Sequence, residues 1–150
     1  MKKVEPVKIA TIVLVLITAT VAIFYLTTRP TTSEGTLRIE SGGQMIELPL
    51  ERLTVASVHG TTVNGKGEVR TIDAQGILLD QILREAGISE FTEVTVTADD
   101  AYNAVVTAEE IAEPDRVYLI QQDEGGLRLI VFGDSNSKRS VSDVASLSVQ

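Results

Sequence analysis

The sequence predicts an α+β domain, mainly antiparallel β-sheet with one substantial helix, preceded by one N-terminal transmembrane helix. Three observations support this fold class. Eighteen uncharged residues run from Ile9 to Leu26. Short runs of alternating apolar and polar side chains, separated by turn residues, fill most of the chain after residue 35. One longer stretch, residues 76–87, has the apolar spacing of a helix.

The apolar segment 9–26 is predicted to be a transmembrane signal anchor. As a helix it would be about 27 Å long, close to the roughly 30 Å hydrocarbon core of a bilayer. Three lysines precede it, so the positive-inside rule places residues 1–8 in the cytoplasm and the rest of the chain outside. The alternative is a cleaved signal peptide, but Thr20-Val21-Ala22 is a poor cleavage site and is followed by further apolar residues.

Residues 27–35, with the sequence TTRPTTSEG, are short and polar and are predicted to be a linker. Residues 36–150 then form one extracytoplasmic domain, large enough to bury its own core. We therefore expect a single-pass protein of the cell membrane, as in a bacterial envelope, that contacts the membrane through its N-terminal helix.

Charge and composition exclude several classes of function. Residues 1–29 carry four basic and one acidic side chain, a charge of +3, whereas residues 30–150 carry nine and twenty, a charge of −11. Such an acidic domain gains nothing from counterion release, so no nucleic-acid partner is expected. The chain has no cysteine and one histidine, His59, which excludes thiolate catalysis and multi-histidine metal sites. No catalytic residue and no metal site are predicted.

Two hairpins are predicted at the start of the domain. Residues 36–39 and 44–48 alternate apolar and polar side chains on either side of a Ser-Gly-Gly loop. Between Ala56 and Thr71, the dipeptide Asn64-Gly65 separates two β-prone runs and is the strongest short hairpin signal in the chain.

Residues 76–87, GILLDQILREAG, are predicted to form the long helix. Five apolar residues fall on one face at helical spacing: Leu78, Leu79, Ile82, Leu83 and Ala86. Asp80 and Arg84 lie four residues apart on the outer face, where an ion pair supports a helix, and Gly87 is placed to end it.

The second half of the domain is predicted to be mostly strand, giving about eight strands in all. Strands are expected at residues 93–98, 102–106, 117–121, 127–132 and 144–149, with turns at Asp99-Asp100 and at residues 123–126. Thr107 and Glu110 form a capping box for a short helical turn, which Pro114 closes.

Few residues of the domain are candidates for chemistry. Adjacent acidic pairs at 99–100, 109–110 and 123–124 lie in predicted turns or on a helix edge, where solvent screens them, so we expect no acid–base role. Lys138-Arg139, in a loop rich in Ser and Asn, could hold a phosphate or carboxylate; the alternative is a solubilising loop. His59 could titrate or bind a metal, or be structural.

Four segments, in order, resemble the oxidoreductase molybdopterin-binding domain, which has the sulfite-oxidase-like fold. GILLDQILREAG (76–87) resembles that family's G-V-x-L-x-x-L-L-x-x-A-G helix, and VTVTADDAY (94–102) its strand followed by D-G-Y. GGLRLIVFG (125–133) resembles its G-G-P-L-R-L-V-V-P-G hairpin, and RSVSDVASLSV (139–149) its closing R-x-V-K-x-L-x-x-I-x-V strand. The resemblance covers nearly the whole domain.

The departures from this family concentrate on the cofactor side. Its enzymes ligate molybdenum through a cysteine thiolate and hold the pterin phosphate with basic groups, but the matching segment near Ser57–Gly60 has no thiolate. Ser142 and Asp143 replace the lysine and the aromatic residue of the closing motif. The candidate cofactor-binding residues are His59, Lys138 and Arg139, and the resemblance implies a scaffold without molybdenum catalysis.

We therefore expect a membrane-tethered module that binds a ligand or a protein partner, such as an envelope redox or surface protein, without being an enzyme and without a cofactor. Two alternatives stay open. One is a molybdopterin- or other cofactor-binding redox subunit that uses His59 and Arg139. The other is a structural interaction module of the cell surface.

Overall fold

The computed structural model describes residues 35–150. The strands are β1 (Thr36–Ser41), β2 (Gln44–Pro49), β3 (Ala56–Val63), β4 (Val69–Leu78), β5 (Glu93–Ala98), β6 (Asn103–Thr107), β7 (Val117–Gln121), β8 (Leu127–Val131) and β9 (Val144–Val149). The helices are α1 (Leu79–Glu85) and α2 (Ala108–Ala112), with a 3₁₀ turn at Leu50–Arg52. The predicted cytoplasmic segment, the anchor 9–26 and most of the linker lie outside the described residues.

The strands form two sheets. The first has the order β2-β1-β9-β5-β6, and the second has the order β3-β4-β7-β8. Every neighbouring pair is antiparallel except β1 and β9, which are parallel. The predicted α+β class with mainly antiparallel pairing and one main helix is confirmed, although this part of the chain contains nine strands where about eight were expected.

One aliphatic core joins both sheets and both helices. Strands of the first sheet contribute alternate residues, as in β5, where Val94, Val96 and Ala98 are buried. The predicted apolar face of α1 supplies Leu79, Ile82 and Leu83, all fully buried. Burial of an aliphatic side chain contributes roughly 1.5–3 kcal/mol, so this core is the main source of stability for the fold.

A second, smaller cluster lies on the other face of the second sheet. Strand β7 is buried on both faces, because Val117 and Leu119 enter the main core while Tyr118 and Ile120 enter this cluster. The β3–β4 hairpin covers it, with Val58, Ile72 and Ala74 as its contribution. The hairpin therefore folds over β7 and β8, and its tip reaches the loop that follows β8.

Tyr118 shows how this cluster accommodates a polar atom. Its hydroxyl donates to Asp115 Oδ1 at 2.7 Å, and its ring packs edge-on against Phe132 with centroids 5.9 Å apart. Burial, and then the neighbouring Asp115 carboxylate, raise the pKa of Tyr118 to about 12. The phenol is thus a neutral hydrogen-bond donor at any physiological pH.

The helix predicted over residues 76–87 begins later than expected. Residues 76–78 are the end of β4 and pair with β7, with Gly76 opposite Ile120. Glycine has a low helix propensity and this segment has no capping side chain, so pairing with β7 prevails over the helical spacing. The rest of the prediction is confirmed: α1 ends before Gly87, and Arg84 Nη2 lies 2.9 Å from Asp80 Oδ2.

The β3–β4 hairpin was predicted correctly, but its turn differs from the two-residue Asn-Gly turn. The loop runs from Asn64 to Glu68, and Asn64 Oδ1 accepts the backbone N–H groups of Lys66 and Glu68 at 2.9 and 3.0 Å. Gly67, at φ +80°, takes the left-handed conformation that closes the loop. The side chain of Asn64 thus organises a longer turn, and the glycine that this turn requires is Gly67 and not Gly65.

The other predicted elements are confirmed. β1 and β2, β5 and β6, and β7 and β8 form the expected hairpins. Both halves of the capping box are present, with Glu110 N donating to Thr107 Oγ1 and Thr107 N to Glu110 Oε2. The helix ends at the extended residue Glu113, which precedes Pro114.

Replacement of Gly76 by alanine tests the close packing between β4 and the second cluster. The added methyl group would lie 2.9 Å from Val58 Cγ2 and 3.0 Å from Ile120 Cγ2, both on stiff, β-branched side chains. We expect Gly76→Ala to lower the free energy of unfolding by about 1–3 kcal/mol, measured by urea denaturation. In the control Gly65→Ala the methyl group meets only Ser137 Oγ, at 3.6 Å, and no loss is expected. Equal stability of the two variants would contradict the packing described.

Candidate functional site

The loop after β8 is fixed to the rest of the domain by Arg139. Its Nη1 and Nη2 atoms donate to Glu110 Oε2 and Oε1 at 2.8 and 2.9 Å, a bidentate pair. Its Nε donates to Asp134 Oδ2 at 2.8 Å, and Nη2 also donates to Asp134 Oδ1. The last N–H reaches the carbonyl oxygen of Val105 at 3.5 Å. All five N–H groups of Arg139 therefore have a protein acceptor.

Glu110 is the centre of this ion-pair cluster. Its side chain is only 17% exposed and also accepts a hydrogen bond from Arg116 Nη2 at 3.1 Å. The hydrogen bond from Arg139 is the main cause that lowers the pKa of Glu110 to about 2, against partial burial, which raises it. The prediction that the acidic pair 109–110 is solvated is thus wrong for Glu110, because α2 turns it toward Arg116, six residues away, and Arg139, twenty-nine residues away.

A cleft of about 450 Å³ lies between the tip of the β3–β4 hairpin, β8 and the loop that Arg139 holds. We call it the arginine cleft, since Arg70, Arg128 and Arg139 all line it. The other lining residues are Thr62, Val63, Asn64, Gly65, Thr71, Ile72, Ile130, Val131, Asp134, Asn136, Ser137 and Ser140. Its volume lies within the range of small-molecule sites.

Two of the three arginines retain donors that the protein does not use. Arg128 Nε and Nη2 donate to Ser142 Oγ at 2.9 and 2.7 Å, which orients the guanidinium, and its other N–H groups have no acceptor within residues 35–150. Arg70 forms no hydrogen bond and no ion pair within the same residues. Both can offer the paired N–H donors that match a carboxylate or a phosphate.

The charge of the arginine cleft contrasts with that of the domain. Residues 35–150 contain nine basic and nineteen acidic side chains, a charge of −10. Three of the nine basic side chains line the cleft, but only one acidic side chain, Asp134, does so, and it is paired with Arg139. The cleft is therefore a local region of positive charge in an acidic domain, which attracts anions.

A larger cavity of about 570 Å³ lies between β1 and the β7–β8 hairpin, but its chemistry is poor. Its charged residues are Asp99 and Asp143, and no basic side chain lines it. The arginine cleft is therefore the better candidate site, although it is smaller.

The structure places the three sequence-predicted residues in two different regions. Lys138 and Arg139 lie in the loop of the arginine cleft, where Arg139 lines it and Lys138 is exposed beside it. His59 is exposed on β3, with Nδ1 3.3 Å from Asp73 Oδ1, and does not line the cleft. Sequence reasoning missed Arg70 and Arg128. The GGLRL segment, which contains Arg128, could have drawn attention to this residue, but nothing in the sequence indicates that Arg128 and Arg70 line the same cleft.

The segment near Ser57–Gly60, which the resemblance places at the family's molybdenum ligand, offers no suitable donor. Ser57 Oγ accepts a hydrogen bond from Gln75 at 3.2 Å and His59 faces Asp73, both on an exposed strand surface. Across residues 35–150 no three His, Asp or Glu side chains are grouped so that they could hold a metal ion. The residues present do not fit a molybdenum centre, which requires a thiolate in that family.

Neither a protein-family model nor a curated protein matches this chain. The resemblance to the molybdopterin-binding domain therefore stays a prediction. In the described range 35–150, no helix has both the length and the apolar character needed to cross a membrane.

Removal of Arg139 tests its structural role. Arg139→Ala would leave the partly buried carboxylates of Glu110 and Asp134 without their main partner, so we expect the free energy of unfolding to fall by about 2 kcal/mol or more. The matched control is Arg84→Ala, which removes an exposed pair within α1 and should cost less than about 0.5 kcal/mol. Urea denaturation compares the two, and an equal loss would contradict the structural role.

The lowered pKa of Glu110 predicts a specific pH dependence. Because the pKa is below its ordinary value of 4.5, the ionised Glu110 stabilises the fold above that pH, and this contribution is lost as the pH falls toward about 2. Wild-type stability should therefore decline more steeply between pH 4.5 and 2 than that of Glu110→Gln. Thermal unfolding at several pH values measures the slopes. Glu109→Gln, at the exposed neighbour, should keep the wild-type slope.

Proposed function

We propose that the chain is a membrane-anchored, extracytoplasmic module that binds a small anionic ligand in the arginine cleft, without molybdenum catalysis. The observation that carries this proposal is the charge of the cleft: Arg70 and Arg128 have unused donors in a domain whose charge is −10. Unpaired arginines that line a concave surface are the usual means by which proteins hold carboxylates and phosphates.

The surroundings of the cleft support a binding role. Ser142 orients Arg128, and the ion pairs of Arg139 hold the loop that forms one wall, so the donors of Arg128 and this wall are arranged before a ligand arrives. Binding to such a preorganised site avoids part of the entropic cost of ordering side chains. The membrane anchor belongs to this proposal through residues 9–26, whose sequence alone supports it.

A molybdopterin-binding redox subunit is less well supported. Arg139, one of the candidate cofactor-binding residues, has all its N–H groups engaged by Glu110, Asp134 and Val105. The position of the metal ligand has no thiolate. We therefore derive no step through molybdenum.

Removal of the two unpaired arginines tests the proposed function. The double variant Arg70→Ala/Arg128→Ala should bind inorganic phosphate or pyrophosphate at least about tenfold more weakly than the wild type, because each arginine supplies charge-assisted hydrogen bonds. Isothermal titration calorimetry on the full chain in detergent measures the dissociation constants. Arg84→Ala, which lies outside the cleft, should bind like the wild type. Undiminished binding by the double variant would refute the site.

A further inference from the structure

We infer that the ligand of the arginine cleft is a hydroxylated, non-aromatic anion of the sugar-phosphate or uronate kind. This inference rests on the proposed anion-binding function and names the class of ligand. It is drawn from the other side chains of the cleft, which must contact whatever the arginines hold.

Hydroxyl groups line the cleft on two of its walls, the β3–β4 hairpin and the loop after β8. Thr62 of β3 and Ser137 and Ser140 of the loop line the cleft, and within residues 35–150 their hydroxyls form no hydrogen bond to a protein group. Each hydroxyl can both donate and accept, as a hydroxyl of a ligand does. A ligand rich in hydroxyls would satisfy both the donor and the acceptor of each of these groups.

The apolar part of the lining suits a compact carbon skeleton. Ile72 of β4 and Ile130 of β8 belong to the second cluster and also line the cleft. Aliphatic side chains of this kind pack against the C–H surface of a saturated ring. Val63, Gly65 and Val131 are the other lining residues without a polar side chain, and the remaining ten are polar, so the ligand has a smaller apolar surface and many polar groups.

No aromatic side chain of the described residues is available to stack on a ligand in this cleft. Of the described residues that line it, none is aromatic, and the nearby Tyr118 and Phe132 pack against each other in the second cluster. Nucleobase sites in proteins usually stack the base on an aromatic or planar side chain, which contributes about 1–3 kcal/mol per base. A nucleotide or a pterin would gain no such contact from an aromatic side chain here.

The phosphate of a sugar phosphate and the carboxylate of a uronate are bound by arginine in the same way. Both a phosphate monoester and a carboxylate accept paired N–H donors from arginine. Arg70 and Arg128 lie on different strands, β4 and β8, and both line the cleft, so both can donate to one anion while the hydroxyl-bearing residues contact the rest of the molecule.

Titration of the full chain in detergent with five probes tests the inference: inorganic phosphate, glucose, glucose 6-phosphate, glucuronate and adenosine 5′-monophosphate. We expect glucose 6-phosphate or glucuronate to bind about tenfold more tightly than either inorganic phosphate or the nucleotide, and glucose to bind far more weakly than both sugar anions. Equal binding of phosphate and the sugar anions, or tighter binding of the nucleotide, would overturn the inference and leave the anion-binding function intact. Failure of all the anions to bind would overturn both.

A triple variant, Thr62→Val/Ser137→Ala/Ser140→Ala, separates the hydroxyls from the arginines. It should lose the preference for the sugar anions over inorganic phosphate, measured as the ratio of their dissociation constants. An unchanged preference would count against the hydroxyl contacts. Far-UV circular dichroism and urea denaturation confirm that the variant is folded.

Discussion

The ion pair between Arg139 and Glu110 is the interaction on which the candidate site depends. It connects the loop after β8 to the start of α2, twenty-nine residues earlier in the chain, and Asp134 and Arg116 extend it to both flanks. Exposed ion pairs contribute little to the free energy of folding, but the carboxylate of Glu110 is mostly shielded from water and is hydrogen-bonded on both oxygens. The pair therefore holds a wall of the arginine cleft in one position.

The second requirement is the β3–β4 hairpin, which belongs to the second sheet and folds over its strands β7 and β8. Strand β7 consequently contributes side chains to two cores, and the hairpin tip comes to the loop that Arg139 holds. The absence of a side chain at Gly60 and Gly76 allows this approach. A side chain at Gly60 would collide with Phe132, and one at Gly76 would collide with Val58 and Ile120. The cleft is thus the space left between two separately stabilised elements.

Arginine has two distinct uses in this domain. Arg139 and Arg116 serve structure, since they neutralise carboxylates that would be costly to leave partly buried and unpaired. Arg70 and Arg128 face the cleft with donors that the described part of the chain does not satisfy. An anion attracted to the cleft meets positive charge locally even though the domain as a whole would repel it, and this arrangement favours small ligands over extended polyanions.

The sequence by itself determined the α+β class, the hairpins, the capping box at Thr107 and the position of the last strand, because these features depend on local periodicity and turn chemistry. It also identified the loop at Lys138-Arg139 as notable. Only the tertiary structure decided where α1 begins, because residues 76–78 pair with β7 instead of forming the first turn of the helix. It also decided which arginines keep unused hydrogen-bond donors, because the partners of Arg139 lie partly in other elements. Local patterns predict local structure, but the pairing of charges between distant elements depends on how the sheets pack.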